Sequence, residues 1–421
     1  MVKTLHPLAD IAARISGTSG ELICLTRAGD ALPDENGTPQ STSADVAATS
    51  IDPVAATVDA LADPLEFPPL AAGLVPGDCV AIAVAEAVPC VASIVRGVVE
   101  SLDRAGIDRE AVSIVASTPA AAQVCREEFA SDVANPPRSV LHDPDDNDNL
   151  CLVGLTKRGR PLLVNRAIFD ADVVLPIGCA RPHGRGVFEN VYPRFSDADT
   201  IRRHRIPGNQ ESAKERNARI RETNEAGWLI GVPMAIEVVP GANNTVTRVL
   251  AGEPRAAANL GDKLSNERWS FQSPQRVSLV IATITGGPQS QTWENVGRAL
   301  APAYQLVEEG GAIAICSNLN EPVGKSLGRL IGSTNFAAAQ RKISHDHSED
   351  SEAAWQIARA LEHGPVYFLS QLDSQTVEDL GLAPVESIDE LVRLAGHHES
   401  VLIVADAQHV AVTVAGESDE R

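Results

Sequence analysis

Apolar residues along this chain come in short, nearly unbroken runs. The clearest are Val80 to Val84, Val112 to Ala116, Val173 to Ile177, Val277 to Ile284, Ala312 to Cys316, Val366 to Leu369 and Val401 to Val404. A run of this length without polar alternation predicts a strand buried on both faces, as in a parallel sheet covered by helices. Between the runs the spacing changes to that of a helix. Ser93 to Ala105 carries Ile94, Val98, Val99 and Leu102 on one face, and Gly106 is a stop. Val54 to Ala62, Pro119 to Phe129, Gln291 to Val307, Gly324 to Leu330, Ser351 to Glu362 and Ile388 to Ala395 also read as helices, and one begins at Pro254 to Leu260. The alternation predicts an α/β protein. The polar stretch 262–276, with Ser265, Asn266 and Pro274, places a boundary between domains 1–268 and 269–421. Each is expected to hold a mostly parallel sheet flanked by helices, with a ligand cleft between them.

Length and charge narrow the function classes. With 421 residues, two domains are the simplest division. The formal net charge of −21 argues against a nucleic-acid or anionic-membrane partner, since both need a basic footprint. No apolar stretch approaches the ~20 residues of a membrane span. The start, Met1-Val-Lys-Thr-Leu-His-Pro7, lacks the pattern of a secretory signal. The seven cysteines are scattered, with no C-x-x-C pair. Cys24, Cys79, Cys151 and Cys316 sit in apolar runs, which suggests buried thiols and, with the rest, a cytoplasmic protein.

In a doubly wound sheet, ligands bind beyond the carboxyl ends of the strands. The richest such loop is Gly178-Cys-Ala-Arg-Pro-His-Gly-Arg-Gly186, whose Arg181, His183 and Arg185 suit a small carboxylate or phosphate. A tight loop with solvated charges is the alternative. Glu86 stands at another strand end, as a candidate base or a capping residue. Thr285-Gly-Gly-Pro288 is a turn that presents backbone N–H groups. His345-Asp-His347 and His397-His398 are the densest histidine groups, and the first reads as a polar loop. The charged run through Arg202, Arg203, His204, Arg205, Lys214, Glu215 and Arg216 reads as a solvated helix face.

The order of segments resembles the nickel-dependent lactate racemase family. The resemblance is carried by Leu32-Pro-Asp34, Val75 to Val84, His142-Asp-Pro-Asp-Asp-Asn-Asp-Asn-Leu150, Gly159 to Asn165 with Ala171-Asp172, and Gly178 with Pro182-His183. Asp199-Thr-Ile-Arg202, Leu250-Ala-Gly252, Thr285 to Pro288 and Gln291 to Ala301 continue it in order. It implies a two-domain α/β fold and a nickel–pincer nucleotide joined to a lysine, with one histidine on nickel. Hydride leaves and returns to the α-carbon of a 2-hydroxy acid, and two further histidines serve as acid and base. In this chain the resemblance assigns His183, and His204 one residue short of its match, as catalytic residues, either of them the metal ligand. Glu86, Arg181, Arg185, Asn295 and Arg298 are the expected ligand-binding residues, the last two standing where the family has glutamine and lysine. The anchoring lysine falls on Pro193, with Arg194 next to it. Val88 and Pro89 replace the family's Thr and Arg, and Ser117 to Ala122 lacks a histidine.

Three readings follow. One is a racemase or epimerase of a 2-hydroxy acid or sugar acid that relies on His183 and His204 on a scaffold with a degenerate nickel–pincer site. Another is a non-catalytic anion-binding or regulatory protein that uses Arg181, Arg185, Arg202 and Arg298. The third, a nicotinamide dehydrogenase, is opposed by the missing G-x-G-x-x-G fingerprint. The expected partner is a small anionic molecule, and the sequence leaves the oligomeric state unknown.

Overall fold

The computed structural model describes residues 21–25, 51–131, 135–182, 186–209 and 212–415. Its strands are β1 (Glu21–Leu25), β2 (Val80–Val84), β3 (Val112–Ala116), β4 (Arg138–Leu141), β5 (Leu150–Leu155), β6 (Pro161–Asn165), β7 (Val173–Cys179) and β8 (Ala235–Pro240). They continue with β9 (Val246–Gly252), β10 (Ser270–Ser273), β11 (Val277–Thr283), β12 (Val307–Cys316), β13 (Val366–Leu369), β14 (Ala383–Val385), β15 (Ser400–Val404) and β16 (Ala411–Val414). They fall into two compact units. The first takes the described residues up to His204 other than β1, and those from 212 to Glu267. The second takes β1, residues 205–209 and everything described from Arg268 on.

The first unit is built on a sheet ordered β4-β3-β2-β7-β8-β9, parallel except for the β8–β9 pair. Every residue of β2 is buried, as a central parallel strand requires. Helix Val91–Arg104 buries Ile94, Val95, Val98, Val99 and Leu102, each contributing about 1.5–3 kcal/mol of apolar burial. Gly97 on that helix lets helix Pro53–Ala62 approach closely. A Cβ there would lie within 3 Å of the Val54 carbonyl and the Thr57 side chain. Helix Pro119–Glu128 starts at Thr118, whose hydroxyl accepts from the Ala121 N–H, with Pro at the first helical position. The hairpin β5–β6 forms a separate two-stranded sheet.

The second unit holds an all-parallel sheet ordered β1-β15-β11-β12-β13-β14 and a parallel pair β10–β16. β1 comes from the start of the chain, yet pairs with β15 from Glu21↔Ser400 to Leu25↔Val404. A single cut between 268 and 269 therefore separates β1 from its sheet. Otherwise the two units divide between Glu267 and Arg268, one residue from that cut. Helix Pro254–Trp269 runs through Ser265 and Asn266, because its polar residues line a helix and no proline interrupts it before Pro274. The helix expected from Gly324 to Leu330 is only the 3-10 turn Leu327–Arg329, with the Asp350 carboxylate accepting from the Ser326 and Leu327 N–H groups. Among the described cysteines, Cys125, Cys179 and Cys316 are buried. Cys79 is exposed because it precedes β2 at the sheet's amino edge.

Both sheets have a topological switch point, where successive strands turn from one side of a starting strand to the other. In the first unit β3 and β4 lie on one side of β2 and β7 on the other. In the second, β12 to β14 lie on one side of β11 and β15 on the other. No described helix is long and apolar enough to cross a membrane.

Candidate functional site

At the first switch point, the loops after β2 and β7 flank the carboxyl edge. Glu86 ends the first of these loops' initial turn, and its carboxylate forms an ion pair with Arg194 from the chain that follows β7. Their side chains are only 11% and 19% exposed, so the pair is largely shielded from water. Gly178 in β7 has no room for a Cβ, which would lie 1.8 Å from the Asn190 amide. That amide donates to the buried Glu237 carboxylate of β8 at 2.8 Å. Val191, Tyr192 and Phe195 fill the core beneath, so the segment around Pro193 is a packed turn and not a free loop.

Next to it stands His204, at the end of helix Ala198–His204, which Asp197 caps through the Thr200 N–H. The His204 Nδ1 lies 2.9 Å from the Thr200 carbonyl, so the proton sits on Nδ1. Its Nε2 is buried with no hydrogen-bond partner among the described residues. Burial holds the imidazole below its usual pKa, with Arg203 and Arg219 adding to the shift, while the Thr200 carbonyl and Glu222 oppose it. A neutral ring with Nδ1–H on a carbonyl and a free Nε2 lone pair can accept a proton or ligate a metal. The Tyr192 ring packs edge-on at 5.7 Å, and its hydroxyl donates to Glu222 at 3.2 Å. Glu222 also accepts from Arg203 and Arg160, at 3.1 and 3.4 Å.

His142, which opens the Asp-rich stretch, is a structural residue. Its Nε2 lies 2.9 Å from the Ser196 carbonyl and its Nδ1 3.2 Å from the Asn165 amide. A neutral ring that donates from Nε2 and accepts at Nδ1 satisfies both, and burial lowers its pKa.

The second unit's switch point is held by hydrogen bonds. The Thr285 hydroxyl donates to the buried Asp406 carboxylate, joining the loops after β11 and β15. The Gln291 amide donates to the Ile284 and Gly286 carbonyls, and its oxygen accepts from the Ser317 hydroxyl and the Asn318 N–H at 2.7 Å each. Asn295 is 1% exposed. Its amide goes to the Ser290 carbonyl, and its oxygen accepts from Arg298. Arg298 also pairs with Glu294.

Of the residues singled out from the sequence, His183 and Arg185 lie outside the described residues. Glu86, Arg181 and His204 belong to the first unit, Asn295 and Arg298 to the second. The His345-Asp-His347 loop is tied up internally, with Asp346 on Arg329 and His347 on the Arg205 carbonyl. No group of three or more His, Cys, Asp or Glu side chains among the described residues is arranged to hold a metal ion. Sequence reasoning missed Arg194 as the partner of Glu86, Glu222 as the acid that gathers Tyr192, Arg203 and Arg160, and Gln291 as the clamp of the glycine turn. Only the position of Arg194 beside Pro193 offered a signal.

Comparison with known proteins supports one scaffold. The lactate racemase N-terminal domain family matches residues 31–189, a range that holds β2 to β7. A lactate racemase from Thermoanaerobacterium thermosaccharolyticum is 19% identical over 290 residues, 65% of this chain and 68% of that protein. The structure of the lactate racemase apoprotein from the same organism superposes with a TM-score of 0.65 at 18% identity. It covers 86% of this chain and 93% of that one. A Thermotoga maritima protein superposes with a TM-score of 0.62 at 13% identity, covering 86% and 97%. Residues 31–189 thus match the lactate racemase N-terminal domain, and the chain as a whole is similar in its α/β fold to the lactate racemase apoprotein.

Proposed function

We propose that this protein keeps the lactate racemase scaffold without the covalent pincer cofactor, and binds a small 2-hydroxy acid or sugar acid as a non-catalytic anion-binding protein. The Glu86–Arg194 ion pair carries this reading. It occupies the switch point next to Pro193, the position that the resemblance gives to the anchoring lysine. Proline offers no amine, and the chain has no lysine between Lys157 and Lys214. The residues present therefore do not fit a lysine-linked nucleotide. Anion recognition falls to guanidinium groups at the carboxyl edge, where Arg181 follows β7. Such groups hold a carboxylate by two parallel bonds. A thermal-shift screen of 2-hydroxy acids, sugar acids and nucleotides tests this. A ligand at about a hundred times its dissociation constant stabilises by about 2.7 kcal/mol, and Arg181→Ala is expected to lose that response. No shift from any anion, or an equal shift in the variant, contradicts the reading.

One observation favours a second reading, a cofactor-independent racemase or epimerase of the same acids. The buried, neutral His204 keeps its Nε2 available for a proton. Deuterium uptake at the α-carbon of a single enantiomer, abolished in His204→Gln, would support it.

A further inference from the structure

The hairpin β5–β6 has one open edge. The outer side of β6 is covered, since the Asn165 N–H donates to the Phe195 carbonyl at 2.8 Å and the Leu163 carbonyl accepts from the Ser196 hydroxyl at 2.6 Å. Among the described residues no strand pairs with the outer side of β5. An unpaired edge is a template for another strand, and a lone two-stranded sheet is weak by itself. β5 also carries exposed leucines, Leu152 at 54% and Leu155 at 61%. An odd spacing would normally send them to opposite faces. The register shift between Leu152 and Gly154 turns them to the same one. Trp228, 78% exposed, lies in the last turn of helix Ala213–Ile230, whose Leu229 packs on Gly154. Two exposed leucines beside an open edge mark an interaction surface.

Charge along the strand selects the partner. Ahead of β5 stand the exposed Asp143, Asp145 and Asp148, and after it the exposed Lys157, Arg158 and Arg160. Among the described residues no cation forms an ion pair with these carboxylates, although Arg166 donates to the Asp148 carbonyl at 3.0 and 3.2 Å. Lys157 and Arg160 reach only Glu225 and Glu222, at 3.8 and 3.4 Å. A strand with an acidic start and a basic end is complementary to its own antiparallel copy. A two-fold axis brings the acidic end of one copy against the basic end of the other, twice. The geometry points to a homodimer in which β5 pairs antiparallel with β5 of a second copy. The two hairpins then make one four-stranded sheet with the exposed leucines of β5 at the seam.

Sedimentation velocity over a concentration series tests this on the full chain. The wild type is expected to move from 44.4 kDa to twice that mass as concentration rises. Reversing one end, Asp143→Lys with Asp145→Lys and Asp148→Lys, leaves only Asp146 acidic there, makes both ends basic and weakens the dimer by about tenfold or more. Lys157→Glu with Arg158→Glu does the same by making both ends acidic. Combining the five substitutions restores complementarity and the dimer, which a misfolded variant would not do. These positions are exposed, so the melting temperature of every variant stays near that of the wild type. A monomer at all concentrations, as expected if the face serves a different partner or none, overturns the proposal. So does a dimer indifferent to single-end reversal.

Discussion

Between β2 and β7 the switch point is bridged by a charged pair, Glu86 with Arg194. Between β11 and β15 the bridge is the Thr285 hydroxyl on the Asp406 carboxylate, backed by the Gln291 clamp. Both crevices stand where a doubly wound sheet places ligands. The second is stitched by the Gln291 amide and the Thr285 and Ser317 hydroxyl groups, with the Asp406 carboxylate as an acceptor. The first holds guanidinium, carboxylate and imidazole groups together, with a buried histidine nitrogen that finds no partner among the described residues. Fold and chemistry are therefore separable here. The two sheets solve the same packing problem and carry different polar groups at their carboxyl edges.

The largest effect that would break this contrast comes from the ion pair. Arg194→Ala leaves Glu86 shielded and without its guanidinium, and is expected to cost about 3 kcal/mol of stability in urea unfolding. The double variant Glu86→Leu, Arg194→Leu should recover much of that loss. Equal stability of Arg194→Ala and wild type would mean that the pair is merely superficial. In the second unit, Gln291→Ala strips partners from Ser317 and Asn318 and should cost about 1–3 kcal/mol, without altering any response to anions. A packing change sharpens the comparison further. Gly178→Ala drives a methyl group into Asn190, and overpacking of this kind costs about 1–3 kcal/mol. The displaced Asn190 would also leave Glu237.

The smallest effect is on pH dependence. Burial lowers the pKa values of His142 and His204 below 6.5, so the folded chain binds fewer protons there than the unfolded chain. Their contribution to stability is complete above pH 6.5 and is lost as the pH falls through the folded values. Asp262, whose carboxyl burial pushes up to about 6, acts in the opposite sense, its destabilisation fading as the pH falls through that value. A comparison of variants isolates the histidines. His142→Gln should show a shallower loss of stability below pH 6.5 than the wild type, and an equal slope would contradict the assignment.

Much of the fold was legible because a parallel strand covered on both faces must be continuously apolar. Val80 to Val84 and Val401 to Val404 announce themselves in this way. The pairing of β1 with β15 was not legible, since four apolar residues after Glu21 carry no address for a partner nearly four hundred positions away. Helix Pro254–Trp269 was cut short on paper because its polar residues imitate a linker. At the site, Glu86 was visible from its place after a strand. Its link to Arg194 joins residues more than a hundred positions apart, and neither residue's neighbours encode it. His142 stood inside the recognisable Asp-rich stretch, but its two hydrogen bonds depend on Asn165 and Ser196, which only folding brings near.

Intact-mass and metal analysis of the protein, purified after coexpression with enzymes that make the pincer nucleotide, tests the central claim most directly. The account predicts the unmodified 44.4 kDa chain, with no adduct on any peptide from residues 178–215 and no stoichiometric nickel. A mass excess of nucleotide size on such a peptide, accompanied by one nickel per chain, would contradict it.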